Sequence, residues 1–280
     1  MKHIFLNLKR FDISPARGGV NRLAPAQEWG AAVVAATQEA LKAYAGLAEF
    51  VMYLPEAHLL GAAAARTQDS PVQLGCQGVY RADTAVGGNF GAFTTNRTAN
   101  AARELGCQSV LIGHCEERAD KLGVLAEAGV TGRQAADAVN RLLSLEVRCA
   151  QEAGLSVLYC IGEKSEEQAA WQDVLRSQLE TGLAGADMSR VVIGYEPVWS
   201  IGPGKTPAGK EYIEKIARFV KACTGGADVV YGGGLKQDNA QMLASIAEID
   251  GGLIALTRFS GEIGFYPQEY LDIIRRYLGK

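Results

Sequence analysis

A chain of 280 residues, 48% of them hydrophobic, is long enough to bury one large core, and it contains no apolar run of bilayer-spanning length. Its 28 basic and 31 acidic side chains leave a net charge of -3, which offers no broad attraction to nucleic acid or to an anionic membrane, so any anion has to be held locally. Six cysteines form no C-x-x-C pair, and the first ten residues lack the apolar region and cleavage pattern of a signal peptide, so the expected setting is the reducing cytoplasm.

Short β-rich runs alternate with helical patterns along the chain. Residues 3–8 read as the first strand, and Trp29, Ala32, Val33, Ala36, Ala40 and Tyr44 follow as the apolar stripe of a helix. Strands at 50–54 and 72–75 come next, then a stretch at 81–90 that is longer than such connections need and contains Gly87-Gly88-Asn89. The fourth strand, 109–112, is followed by a second over-long connection, 119–132, and by a helix carrying Val139, Leu143, Val147 and Ala150. Strands at 156–160 and 191–194 lead to a helix striped by Tyr212, Ile213, Ile216, Ala217 and Val220. Strands at 228–231 and 252–255 and a last helix with Tyr270, Leu271, Ile274 and Tyr277 close the series.

Most of these strands are apolar throughout, as parallel strands covered on both faces are. Eight strand-helix pairs, with no low-complexity linker and no G-x-G-x-x-G after the first strand, predict one (β/α)8 barrel spanning residues 1–280 rather than an open dinucleotide-binding sheet. In such barrels the site forms at the C-terminal ends of the strands, from the loops that follow them.

Several residues with useful chemistry stand at those ends. Glu196, in Tyr195-Glu196-Pro197-Val198-Trp199, is a carboxylate ending a strand, with Pro197 fixing the chain's exit; taken alone, it reads slightly better as a solvated loop acid. His114 ends the fourth strand, and Cys115-Glu116-Glu117-Arg118 behind it can open a helix whose dipole disfavours imidazolium; in isolation it would be a core histidine. Lys9 offers a fixed positive charge or is a surface lysine beside Arg10, and Asn7 shares its side of the strand. Residues 200–207 combine glycines and prolines in the manner of a hinged segment, and Gly232-Gly233-Gly234 after the seventh strand lets backbone amides come close to a ligand. His3, His58 and His114 are the only histidines, and no two have helical metal-ligand spacing, so no metal site is expected.

Together these stretches resemble the triosephosphate isomerase family over nearly the whole chain. The most specific segment is VVIGYEPVWSIGPGKT at 191–206, supported by Asn7-Leu8-Lys9, Gly91-Ala92-Phe93-Thr94, Ile112-Gly113-His114, Cys160-Ile161-Gly162-Glu163-Lys164 and Tyr231-Gly232-Gly233. The resemblance implies a TIM barrel that interconverts glyceraldehyde 3-phosphate and dihydroxyacetone phosphate through an enediolate, without a cofactor. It gives Glu196 the role of base, His114 that of a neutral donor to the carbonyl, and Lys9 that of the charge beside the developing oxyanion. Asn7 would orient substrate or Lys9, Glu116 would partner Lys9, Gly202 would belong to a lid that excludes water, and Gly233 and Gly234 would grip phosphate. A homodimer through the 81–90 loop is implied as well.

The chain also departs from the family. Gly234 stands where serine is usual, and Ala255 and Leu256 stand where a glycine pair is usual. The loss of one hydrogen bond to a charged group costs about 1.5–3 kcal/mol, and Leu256 would add steric strain if its φ had to be positive. Arg258 either rebuilds the grip with a two-pronged guanidinium or pairs on the surface. Asn96 and Glu117 replace residues of opposite charge that organise the neighbouring loop, and Leu8 replaces a tryptophan. Two other readings stay open: an isomerase of another small sugar phosphate such as a tetrose phosphate, and a noncatalytic barrel that binds a metabolite or a protein partner.

Overall fold

The computed structural model describes residues 1–202 and 205–279. Eight parallel strands close on themselves in chain order: β1 Lys2–Asn7, β2 Ala48–Leu54, β3 Val72–Cys76, β4 Ser109–Ile112, β5 Ser156–Ile161, β6 Val191–Tyr195, β7 Val229–Tyr231 and β8 Gly251–Ile254. The seam between first and last strand is set by His3 opposite Gly251 and Leu6 opposite Ile254. Every strand expected from the sequence is present, with ends displaced by at most two residues.

The described helices are α1 Trp29–Leu41, α2 Glu56–Ala65, α3 Ala99–Glu104, α4 Cys115–Glu127, α5 Gly132–Glu152, α6 Trp171–Gly182, α7 Lys210–Thr224, α8 Ala240–Ala244 and α9 Pro267–Leu278. Alternation along each strand sorts the core in two. Ile4 and Leu6 pack outward with the helices, whereas Phe5 faces inward with Val51, Tyr53, Leu111, Leu158 and Val230. Both sets are apolar, which is why the strands read as unbroken hydrophobic runs.

Two local readings change. The first helix stops at Leu41, and Lys42–Tyr44 form a 3-10 turn. Residues 119–132 are not a long loop, because most of them lie in α4. That helix buries no side chain fully, so it has no strong apolar stripe to betray it; Leu122 and Leu125 only rest against the core. The stretch 81–90 is irregular as expected, and it leaves Val86 and Phe90 exposed. Among the described residues no helix is long and apolar enough to cross a membrane.

Candidate active site

The C-terminal ends of β1, β4 and β6 bring Lys9, His114 and Glu196 together. At the end of β1 the chain turns sharply, and Lys9 adopts φ +40°, a left-handed conformation that typically costs a non-glycine residue about 1–3 kcal/mol. Neighbours hold it there. Asn7 Oδ1 accepts the Lys9 amide at 3.1 Å, and Gln77 Nε2 reaches both Asn7 Oδ1 at 3.3 Å and the Lys9 carbonyl at 3.1 Å. Asn7 thus braces Lys9 through its backbone. No carboxylate among the described residues pairs with the Lys9 ammonium, and Glu116, its expected partner, is exposed.

His114 caps α4. Its Nδ1 accepts the Glu116 amide at 3.2 Å, so in the neutral ring the proton sits on Nε2, which lies 3.2 Å from Glu196 Oε1. Burial, reinforced by the charge of Lys9, lowers the imidazole pKa to about 4. The contact with Glu196 is therefore the close approach of a neutral ring to a carboxyl group and not an ion pair.

Glu196 leaves β6 with its amide bonded to the Ile161 carbonyl at 2.8 Å, and its Oε2 accepts the Cys115 amide at 2.9 Å. The residue is 2% exposed. Burial raises its carboxyl to about 7, against the opposing pull of the Cys115 amide and of Lys9. Gly232 at the end of β7 makes room for it, because a Cβ there would stand 2.7 Å from Glu196 Cγ.

The side-chain donors of His114, Cys115 and Glu196 lie within 4.8 Å of one another, close enough to suggest a cation. The hydrogen bonding opposes this. With Nδ1 accepting an amide, Nε2 could ligate only as imidazolate or after the helix cap had broken, the reverse of the usual arrangement in which a ligating histidine donates from its other nitrogen.

Around this group stand residues to which sequence reasoning had given no part in the site. Arg118 ties the end of β4 to β5 through the Gly113 carbonyl at 2.8 Å and the Cys160 carbonyl at 2.9 Å. Glu117 accepts the Gly113 amide at 2.6 Å and pairs with Lys121 at 2.7 Å, so it braces the same strand end. Fully buried Glu163 receives Tyr195 OH at 3.0 Å, Trp199 Nε1 at 2.7 Å and Tyr212 OH at 3.0 Å. It thereby anchors the 3-10 turn Val198–Ser200 that leads into the glycine-proline segment. Glu163 and Trp199 both lay inside quoted motifs, so a signal existed, but nothing in the chain said that they meet.

The expected lid, 200–207, includes residues 203 and 204, which lie outside the described residues; Gly202 has φ +118°. The amides of Gly233 and Gly234 bond to no acceptor among the described residues, and the same holds for Leu256. Leu256 does not adopt positive φ, so the strain that its side chain would have caused is absent and its N–H stays available. Arg258 is not brought to the Lys9–His114–Glu196 group by its contacts. Its Nε and Nη2 bond to Glu269 at 2.8 and 2.5 Å, and its guanidinium lies 3.8 Å from the Tyr266 ring centroid. Those contacts follow the surface-pairing alternative.

The family model for triosephosphate isomerase matches residues 24–275. The chain belongs to the triosephosphate isomerase family. It is 32% identical over 220 residues to the triosephosphate isomerase of Rhodopirellula baltica, covering 74% of this chain and 78% of that one. With that of Parasynechococcus marenigrum it shares 31% identity over 208 residues, covering 73% and 76%. With that of Pelodictyon phaeoclathratiforme the identity is 35% over 178 residues, and the match spans only 64% of that relative's length and 59% of this chain. The crystal structure of triosephosphate isomerase from Bartonella henselae has the same fold, with a TM-score of 0.72 over 99% of this chain and 98% of that one at 24% identity.

Proposed function

We propose that this member of the triosephosphate isomerase family interconverts glyceraldehyde 3-phosphate and dihydroxyacetone phosphate. The observation that carries the reading is a buried carboxylate, Glu196, 3.2 Å from a neutral histidine and within the field of Lys9, a lysine with no carboxylate partner among the described residues. A carboxyl raised to about 7 is matched to taking up and returning a proton near neutral pH. Glu196 removes the proton from the carbon beside the carbonyl, and the C–H electron pair forms the C=C bond while the carbonyl pair moves onto oxygen. The His114 Nε2–H and the Lys9 ammonium stabilise that oxygen, and they do so more strongly as its charge grows. Glu196 then delivers the proton to the neighbouring carbon, while the former carbonyl oxygen takes a proton from His114 Nε2 and the other hydroxyl returns one to it as its own carbonyl forms, completing an aldose-ketose exchange in which no electrons leave the substrate. Asn7 holds Lys9 in place, the free amides of Gly233 and Gly234 receive the phosphate, and a lid that includes Gly202 keeps water from the enediolate.

A coupled assay of triose phosphate conversion tests this reading, and its pH dependence tests the base. The active form is the carboxylate, so kcat/KM rises with pH and levels off above about 7. The second ionisation of a phosphate ester falls near about 6 and contributes to the same limb. A profile already flat at about pH 5 would contradict a carboxyl raised by burial.

We further propose that the protein is a cytoplasmic homodimer joined through the loop after β3. Val86 and Phe90 on that loop are almost fully exposed apolar side chains, which a partner would cover. Sedimentation is expected to give twice the chain mass, and Phe90→Asp is expected to shift it to the monomer. A wild-type monomer at high protein concentration would remove the dimer.

A further inference from the structure

The turn that follows β7 starts beside the carboxylate of Glu196, because Gly232 abuts Glu196 Cγ. The next two amides, of Gly233 and Gly234, point at no acceptor among the described residues. Gly234 has φ +97° and no side chain, and a Cβ built on it would stand 3.3 Å from Lys236 Cε. The lysine stem therefore lies along the space that a side chain at 234 would face. Asn239 fixes the two residues relative to each other: its Oδ1 accepts the Lys236 amide at 2.8 Å and its Nδ2 donates to the Gly234 carbonyl at 2.9 Å.

The ammonium end of Lys236 is held from the other side. Its Nζ lies 4.2 Å from the centroid of the Phe259 ring, and among the described residues it has no carboxylate partner. Phe259 sits in a small hairpin closed by Arg258 pairing with Gly264. The hairpin is tied to α9 by the Arg258–Glu269 pair and by the stacking of Arg258 on Tyr266. A continuous frame thus runs from α9 through Arg258 and Phe259 to Lys236 and the free amides. A half-buried cation without a carboxylate, next to unused N–H donors, is an arrangement for an anion.

We propose that Lys236 is a phosphate-binding residue of this site, its ammonium presented by the Phe259 ring to a phosphate held on the Gly233 and Gly234 amides. The inference rests on the reading of the site as one for a phosphorylated sugar, and it assigns the binding charge to Lys236 rather than to Arg258, whose fork is occupied by Glu269. The Phe259 ring is 51% exposed, and a cation–π contact at such a ring is weaker than a charge-assisted bond to a dianion. The ammonium can therefore move onto a phosphate oxygen while its stem stays in place. A lysine suits this task as a mobile point charge, where arginine would demand a fixed planar geometry.

The test is calorimetric titration of inorganic phosphate into wild type, Lys236→Met, Lys236→Arg and Phe259→Leu at constant pH and ionic strength, with KM and kcat for triose phosphate measured alongside. Lys236→Met is expected to raise the phosphate Kd by about ten- to a hundredfold, with the catalytic loss falling mainly on KM. Lys236→Arg should recover much of the affinity, and Phe259→Leu should lose part of it. Arg258→Ala should alter phosphate affinity less than Lys236→Met does. Phosphate affinity in folded Lys236→Met within about twofold of wild type overturns the assignment, and so does a wild type that binds no phosphate. A wild type that binds phosphate through Lys236 yet turns over no triose phosphate sustains this inference and defeats the proposed activity.

Discussion

Replacing Glu196 with alanine is expected to lower kcat by at least about 10²–10⁴-fold, the usual contribution of one positioned acid or base, and by more if no water substitutes for it. No other described carboxylate lies within 4.0 Å of the His114 ring nitrogens, so nothing nearby inherits the role. The fold is expected to survive, because the carboxyl is held at a cost. Its folded pKa of about 7 lies above the ordinary 4.5, so the folded state retains a proton that the unfolded chain has lost. The contribution of Glu196 to stability is present below about pH 4.5 and is lost as pH rises through about 7. Glu196→Gln, which keeps the shape without the charge, should therefore melt progressively higher than wild type as pH is raised through that window. A circular dichroism melt at several pH values and a steady-state assay check the two halves. Near-normal turnover in Glu196→Ala overturns the assignment of the base.

Lys9→Met is expected to cost about 10²–10³-fold in kcat, comparable to removing one donor from a preorganised oxyanion site. Methionine keeps the stem and meets the same positive φ, so the change isolates the charge from the strain of the turn. A second readout separates electrostatics from structure. The Lys9 charge holds down the pKa of both His114 and Glu196, so without it the acid limb of the pH profile should move upward. A loss of rate with an unmoved limb would mean that the turn had been disturbed and that the charge acts elsewhere.

The barrel was legible because its strands are apolar on both faces and its longer helices carry stripes, as in Ile213, Ile216, Ala217 and Val220 of α7. The helix α4 was not, since a helix that buries no side chain fully leaves no periodic signal. In the candidate site, Asn7, Lys9, His114 and Glu196 stood out because each ends a strand inside a recognisable run. The supports did not. Gln77 reaches Asn7 across 70 residues, Arg118 reaches Cys160 across 42, and Trp199 reaches Glu163 across 36, and only the side-by-side pairing of strands far apart in the chain makes those distances short. Arg258 was ambiguous for the same reason, because its partner Glu269 lies on the following helix and the intervening hairpin decides which way the guanidinium turns. Lys236 was invisible as a site residue: an isolated lysine after three glycines gives no hint of the aromatic ring beside it.

If Glu196 moves a proton between adjacent carbons of a triose phosphate, incubation of the wild-type protein with dihydroxyacetone phosphate in deuterated water, followed by proton NMR, detects the transfer. Deuterium should enter at the carbon that exchanges its proton, with glyceraldehyde 3-phosphate formed alongside, and both should vanish in Glu196→Ala. Saturable binding of the sugar phosphate by wild type with no label and no product would mean that Glu196 transfers no proton.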